Sequence, residues 1–336
     1  MTEPLGGRAE PRPASPLRVA YVMSRFPKLS ETFVLRELLA VEALGVAVDV
    51  YPLVRHREPL VHPEAEPLVG RAHYLPFLSL AILRSNLAVL RSRPRSWFGA
   101  LWAVVRGNWG STNHLVGGLG IFPKVVHAAR LMEADGVDHV HCHFATHPAL
   151  AGFLVHRLAG IPFSFTAHGS DIHVDRHMLR RKVEEAAVVV PISEFNREVI
   201  LRECDPGQAA KLVVVHCGVD TEVLGPRPAR AAGPLTVVSV GTLHEVKGQR
   251  HLVEACRLLV GEGLDVRCHL VGSGPDEDDL RRQVAAGGLE HRVVLEGQRT
   301  TDEVAGLLRR RTCSWPRASP PGRASGRASP SCSWRP

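Results

Sequence analysis

Two stretches of the chain run from an apolar, β-rich segment into a loop of glycines and polar side chains. They are Phe163-Ser164-Phe165-Thr166-Ala167-His168-Gly169-Ser170-Asp171 and Thr236-Val237-Val238-Ser239-Val240-Gly241-Thr242-Leu243-His244-Glu245-Val246-Lys247-Gly248. Loops at the carboxyl ends of strands are where open α/β sheets bind ligands. His168 can polarise or position a hydroxyl in a cleft, and Asp171 either orients that imidazole or caps the next helix. Lys247-Gly248 directly precedes a helical pattern, so the ammonium can meet a diphosphate while free amides of the helix's first turn add positive charge. The competing readings are a structural loop histidine and a solvated loop lysine. A shorter turn, Gly272-Ser273-Gly274-Pro275, lacks the full dinucleotide fingerprint and by itself reads as a turn.

Histidines cluster at His139, His141, His143 and His147, around Cys142. Strand alternation puts His139, His141 and His143 on one face. Their spacing reads as wide for one shared ion and no acid accompanies them in sequence, so the expectation is no metal, with His143 a cleft residue at the strand end. The seven cysteines are odd in number and lack ligand-pair spacing, which suggests neither a disulfide frame nor a zinc module.

These residues need a scaffold, and 336 residues of ordinary apolar content suffice for two cores. After a start at 1–16 without order or the apolar core of a signal peptide, Leu17–Val22 reads as a strand. Ser30 then caps a helix to Leu44, and Val46–Leu53 is the next strand, a βαβ unit that implies a parallel sheet. Strands at His139–Phe144, Phe163–Thr166, Ala187–Ile192 and Leu212–His216 and helices at Pro148–Leu158 and Met178–Ala186 extend one doubly wound domain over 17–225. Residues 226–234, rich in Pro, Arg, Ala and Gly, read as a linker. A second α/β unit occupies 235–310, with helices at Gln249–Val260 and Glu277–Ala286 and strands from Leu235, at Val266–Val271 and at Val293–Leu295. No stretch is expected to span a bilayer, and the setting reads as reducing and cytoplasmic.

The net charge of +7 favours anionic partners. No acid falls between Glu66 and Glu133, an interval that holds Arg71, Arg84, Arg91, Arg93, Arg95, Arg106, Lys124 and Arg130. With Trp97, Trp102, Trp109 and the apolar runs Leu75–Leu90 and Trp97–Val105, residues 71–130 read as a surface for an anionic membrane, or as a helical insertion packed on the domain.

Taken together, the motifs resemble those of family 4 glycosyltransferases of the GT-B fold, in the branch that builds exopolysaccharides such as colanic acid. The matching stretches are Ser24 to Phe33, His141-Cys142-His143-Phe144-Ala145, Phe163 to Asp171, His216-Cys217-Gly218-Val219-Asp220, Val240 to Lys247 and Leu270 to Pro275. The resemblance implies two Rossmann-like domains facing a cleft, the first for acceptor and the second, incomplete here, for a nucleotide-sugar donor. It implies transfer with retention to a lipid-linked or glycan acceptor, with no cofactor, no obligatory metal and no nucleic-acid partner. On this basis His168 and Asp171 are assigned to catalysis and Gly241, Thr242, Lys247, Gly272 and Gly274 to the donor. Gly218, Asp220 and His143 fall at the cleft or hinge, and Ser30, Glu31 and Thr32 on the acceptor side. Thr242 stands where many members carry an arginine, a departure that weakens the phosphate clamp. A sugar-nucleotide epimerase of the same fold is an alternative.

From Arg310 the pattern ends: 311–336 is Arg, Ser, Pro and Ala with isolated Trp and Cys, a composition expected to supply no core element. The family's motif of two glutamates separated by seven intervening residues is missing. A slip of the reading frame near Arg310 would restore an apolar strand around Cys313–Trp315 and that motif within Gly326–Pro336. The expectation is a truncated or frame-shifted C-terminus, with an inactive form retaining some donor binding as the alternative to an active enzyme.

Overall fold

A computed structural model describes residues 16–57, 60–174, 176–218, 233–310 and 313–314. The chain forms two compact units that divide between Gly218 and Val219. Most of the 226–234 linker, and Asp220, lie outside the described residues.

The first unit contains β1 (Arg18–Phe26), α1 (Thr32–Ala43), β2 (Ala47–Arg55), α2 (Glu66–Arg71), α3 (Leu80–Ser92), α4 (Pro94–Gly107), α5 (Thr112–Ala134), β3 (His139–His143), α6 (His147–Ala159), β4 (Phe163–Ala167), α7 (Ser170–His173), α8 (Leu179–Glu185), β5 (Val188–Pro191) and α9 (Glu194–Glu203). All strand pairs are parallel and the order is β2-β1-β3-β4-β5, so the sheet reverses its winding between β1 and β3. That is the position where such sheets open a ligand crevice. Alternation along β1 explains why both faces are covered. Val19, Tyr21 and Met23 pack with Val34, Leu35 and Leu38 of α1, whereas Ala20 and Val22 join the larger core built on α3 to α6.

Several sequence expectations are corrected here. Ser30 does not cap α1: it lies exposed in a turn, Glu31 holds the cap position, and neither gives a capping side-chain bond. Leu212–His216 is not a regular strand but a bridge from Leu212 to Val189, followed by backbone bonds from Val213 and Val215 to β5. Among the described residues one helix, α5 with 23 residues, is long and apolar enough to cross a membrane by length and composition, contrary to the expectation that none would be. Half of it is buried, with Phe122, Val125, Val126, Ala129 and Met132 in the core, as expected of a central helix of a folded domain.

The second unit contains β6 (Leu235–Val240), α10 (Gln249–Gly261), β7 (Val266–Val271), α11 (Glu277–Ala286), β8 (Val293–Gly297), α12 (Thr301–Arg310) and β9 (Cys313–Ser314). Its parallel sheet has the order β8-β7-β6-β9 around a core of Val237, Leu252, Val253, Cys268 and Leu270. Cys313 and Ser314 pair with Val237 and Val238 as a two-residue parallel strand at the edge of this sheet. The rest of that segment lies outside the described residues.

Candidate active site

In the first unit, β3 ends at His143 and β4 runs into His168, and their register puts His143 opposite Thr166. The two imidazoles meet there, with His143 Nδ1 at 3.2 Å from His168 Nε2. Phe144, directly after His143, has φ 78°, a left-handed backbone rarely tolerated by a bulky residue and typical of functional turns. The His168 ring sits between Phe33 of α1 at 4.5 Å and Phe144 at 4.7 Å between centroids. Burial between these rings lowers the His168 pKa to about 4, only partly opposed by the Asp171 charge. The ring is therefore neutral near pH 7, able to accept at one nitrogen and donate at the other.

Asp171 is buried and does not touch the His168 imidazole through a hydrogen bond. Its carboxylate accepts from the backbone N–H groups of Ala145 (2.8 Å), His168 (3.1 Å) and Gly169 (2.6 Å). In this geometry Asp171 acts on backbone, tying the loop after β4 to the turn after β3. Lys182, also buried, donates to the Ala145 carbonyl in the same turn. Asn196 of α9 donates to the His168 carbonyl at 3.2 Å. Neither was singled out by the sequence, because their partners are backbone groups far away along the chain.

The histidines of β3 face α1. Ser164 Oγ lies 2.7 Å from both His139 Nε2 and His141 Nδ1, and Thr166 Oγ1 lies 2.9 Å from His141 Nε2. This polar seam across β3 and β4 satisfies imidazoles that would otherwise be costly to bury. Glu37 of α1 brings the carboxylate that the sequence reading did not find: its Oε1 is 3.4 Å from His141 Nε2 and 3.6 Å from His143 Nε2. Tyr21 donates to the same oxygen at 3.3 Å. Burial raises the Glu37 pKa to about 7 against that hydrogen bond, and lowers His141 to about 3 and His143 well below its ordinary value. The ligand atoms of Glu37, His141 and His143 all lie within 4.8 Å of one another, so their spacing is not too wide for one ion.

Of the residues assigned to the acceptor side, Ser30 is exposed, Thr32 opens α1, and Glu31 is held by Lys28 at 2.6 Å over a small hollow lined by Phe26, Leu29 and His62. Phe33 rather than these three carries α1 to His168. Gly218 is exposed at the end of the first unit.

In the second unit, Gly241 and Thr242 follow β6, and Lys247-Gly248 leads into α10. Gly248 adopts φ 69° and caps α10 without a side-chain acceptor, which leaves first-turn backbone donors without a capping side chain. Buried Gln249, which sequence reasoning missed, donates to the Thr242 carbonyl at 3.0 Å and fixes the loop on the helix. Gly272 and Gly274 are explained by close approach of the loops after β6 and β7. A Cβ at Gly272 would stand 2.1 Å from the Gly241 carbonyl oxygen, and one at Gly274 would stand 2.2 Å from that of Leu243. Backbone bonds from Gly241 to Val271 and from Leu243 to Ser273 lock the same contact. These glycines thus shape the loop that carries Lys247.

Comparison with known proteins finds matches to both units. Residues 104–223 match Glycosyltransferase Family 4 and residues 234–314 match the glycosyl transferases group 1. The putative colanic acid biosynthesis glycosyltransferase WcaL of Escherichia coli (strain K12) is 28% identical over 309 residues, 87% of this chain and 73% of WcaL. The 2-deoxystreptamine glucosyltransferase of Streptomyces kanamyceticus is 28% identical over 302 residues, 82% of this chain and 71% of the relative. Among solved structures, Anabaena HepE, crystallised with UDP and glucose, superimposes with a TM-score of 0.60 at 16% identity, covering 88% of this chain and 73% of HepE. With a Family 4 match in its first unit, a group 1 match in its second and parallel sheets that superimpose on HepE, the chain belongs to the GT-B glycosyltransferases.

Proposed function

We propose that this glycosyltransferase moves a sugar from a nucleotide-sugar donor, with retention at the anomeric carbon, to a lipid-linked or polysaccharide acceptor. The observation that carries the reading is the placement of the His168 imidazole, fixed at the end of β4 by His143, Phe33, Phe144 and the Asp171 amide cradle. Such a ring positions hydroxyls of donor and acceptor through its two nitrogens. In the second unit, Lys247 and the first-turn amides of α10 meet the charge that develops on the leaving diphosphate. The donor class is supported by the UDP and glucose in HepE, and the acceptor class by the name of the colanic acid relative.

We place the enzyme in the cytoplasm, peripheral at the membrane. On α4, Arg95, Phe98, Trp102 and Arg106 share one outward face, with Trp102 64% exposed, and on α3 Leu80, Leu83 and Leu87 are exposed beside Arg84 and Arg91. Among the described residues no ion pair engages Arg84, Arg91, Arg95 or Arg106. Cations around exposed aromatic and aliphatic side chains suit an anionic headgroup layer.

The test is turnover of purified protein on a panel of nucleotide sugars with a lipid-linked glycan acceptor, the product's anomeric configuration read by NMR. A product of retained configuration is expected. An inverted product, donor consumption in the absence of acceptor, or no turnover on any donor would each reject the proposal.

A further inference from the structure

The Glu37–His141–His143 cluster carries more than a glycosyl transfer requires. His143 is wholly buried, and its Nε2 has no hydrogen-bond partner while pointing toward Glu37. A buried polar nitrogen left this way is costly unless something occupies its lone pair. Glu37 does not serve as that partner, because 3.6 Å exceeds a hydrogen bond.

We propose that Glu37, His141 and His143 form a binding site for one first-row divalent cation of the zinc class. Two imidazoles and a carboxylate are a recognised donor set for such ions, with bonds of about 2.0–2.2 Å. At that bond length the edge of a tetrahedron is about 3.4 Å. The Glu37 Oε1 separations from His141 Nε2 and His143 Nε2 are 3.4 Å and 3.6 Å, as a shared ion would set them.

The outer partners are also in place. Tyr21 donates to Glu37, Ser164 holds His141 at Nδ1, and His168 meets His143 at Nδ1. Metal-bound histidines are commonly oriented in this way through their second nitrogen. The Thr166 hydroxyl, at 2.9 Å from His141 Nε2, would turn its proton away when the cation binds. The ion's role is architectural. By taking the His143 Nε2 lone pair it puts the ring proton on Nδ1, which donates to His168 Nε2 and selects the His168 tautomer.

The experiment uses the full chain, stripped with chelator, dialysed and titrated with cobalt(II) and then zinc(II), followed by visible absorption and calorimetry. One tight cobalt site per chain is expected, with the intense d–d bands of a four- or five-coordinate ion that zinc abolishes. Glu37→Gln and His141→Asn weaken that site at least about tenfold, whereas His251→Asn on α10 leaves it unchanged. Absence of a tight site, weak bands of an octahedral ion, or equal affinity in a folded Glu37→Gln variant would overturn the proposal. Should both variants misfold, the wild-type stoichiometry and spectrum alone decide.

Discussion

His143 and His168 meet across the β3–β4 register at 3.2 Å, and Asp171 secures the loop bearing His168 through backbone amides rather than through its imidazole. The acid and the histidine, three residues apart in sequence, are therefore a cradle and its cargo.

The first prediction separates those roles. Asp171→Ala removes three amide contacts and destabilises the first unit by about 2–3 kcal/mol, since hydrogen bonds to a charged acceptor outweigh neutral ones. His168→Ala should leave the melting temperature within a few degrees yet lower kcat about a hundredfold. Thermal melts and initial rates on both variants check this pair.

Lys247→Ala should reduce kcat/KM for the donor at least about tenfold, in proportion to one charge-assisted contact. Lys247→Arg should retain part of that loss, because a guanidinium restores charge with a different reach. Rates near those of the wild type for Lys247→Ala would remove the lysine from the donor site.

Gly274→Ala drives a methyl group into the Leu243 carbonyl and should cost about 2 kcal/mol. Gly218→Ala meets nothing within 4 Å and should be neutral. Denaturant midpoints measured on the two variants give the comparison directly.

Lys124 supplies a pH signature. Its ammonium is buried, donates to the Leu53 carbonyl at 2.6 Å, and burial lowers its pKa to about 8 from 10.5. Between those values the unfolded chain binds the extra proton, so stability contributed by this residue rises with pH across that window. Below it both states are protonated and the contribution is flat. The melting temperature of the wild type, relative to Lys124→Met, should therefore climb between about pH 8 and 10.5.

Membrane contact predicts that the pair Phe98→Ser and Trp102→Ser weakens sedimentation with phosphatidylglycerol vesicles by about tenfold or more, since each aromatic buries a large apolar area. Neutral vesicles should retain little of either protein. Equal binding of the variant and the wild type to anionic vesicles would end the membrane reading.

Much of the fold was legible because it is written in local pattern. The strand Val266–Val271 and the helix Glu277–Ala286 stand where periodicity and punctuation put them. So do the helix after Lys247-Gly248 and the strand ending before His168. Helix α9 carries too weak an apolar periodicity to be legible, and the Leu212–His216 run, apolar enough for a strand, gained only a bridge. Ser30 had the chemistry of a cap, but the turn from Lys28 to Glu31 moved the helix start beyond it.

The parallel-sheet architecture and the loops that carry His168 and Lys247 are written in local residue pattern, since strand period, helix period and glycine placement act between near neighbours. The tertiary structure alone decided that Asp171 braces backbone rather than imidazole. It also decided that the glycines at 272 and 274 admit a neighbouring loop, and that Glu37 stands against His141 and His143. Those relationships join atoms on different elements, more than a hundred residues apart for Glu37, and only the packing of α1 on the sheet brings them within reach.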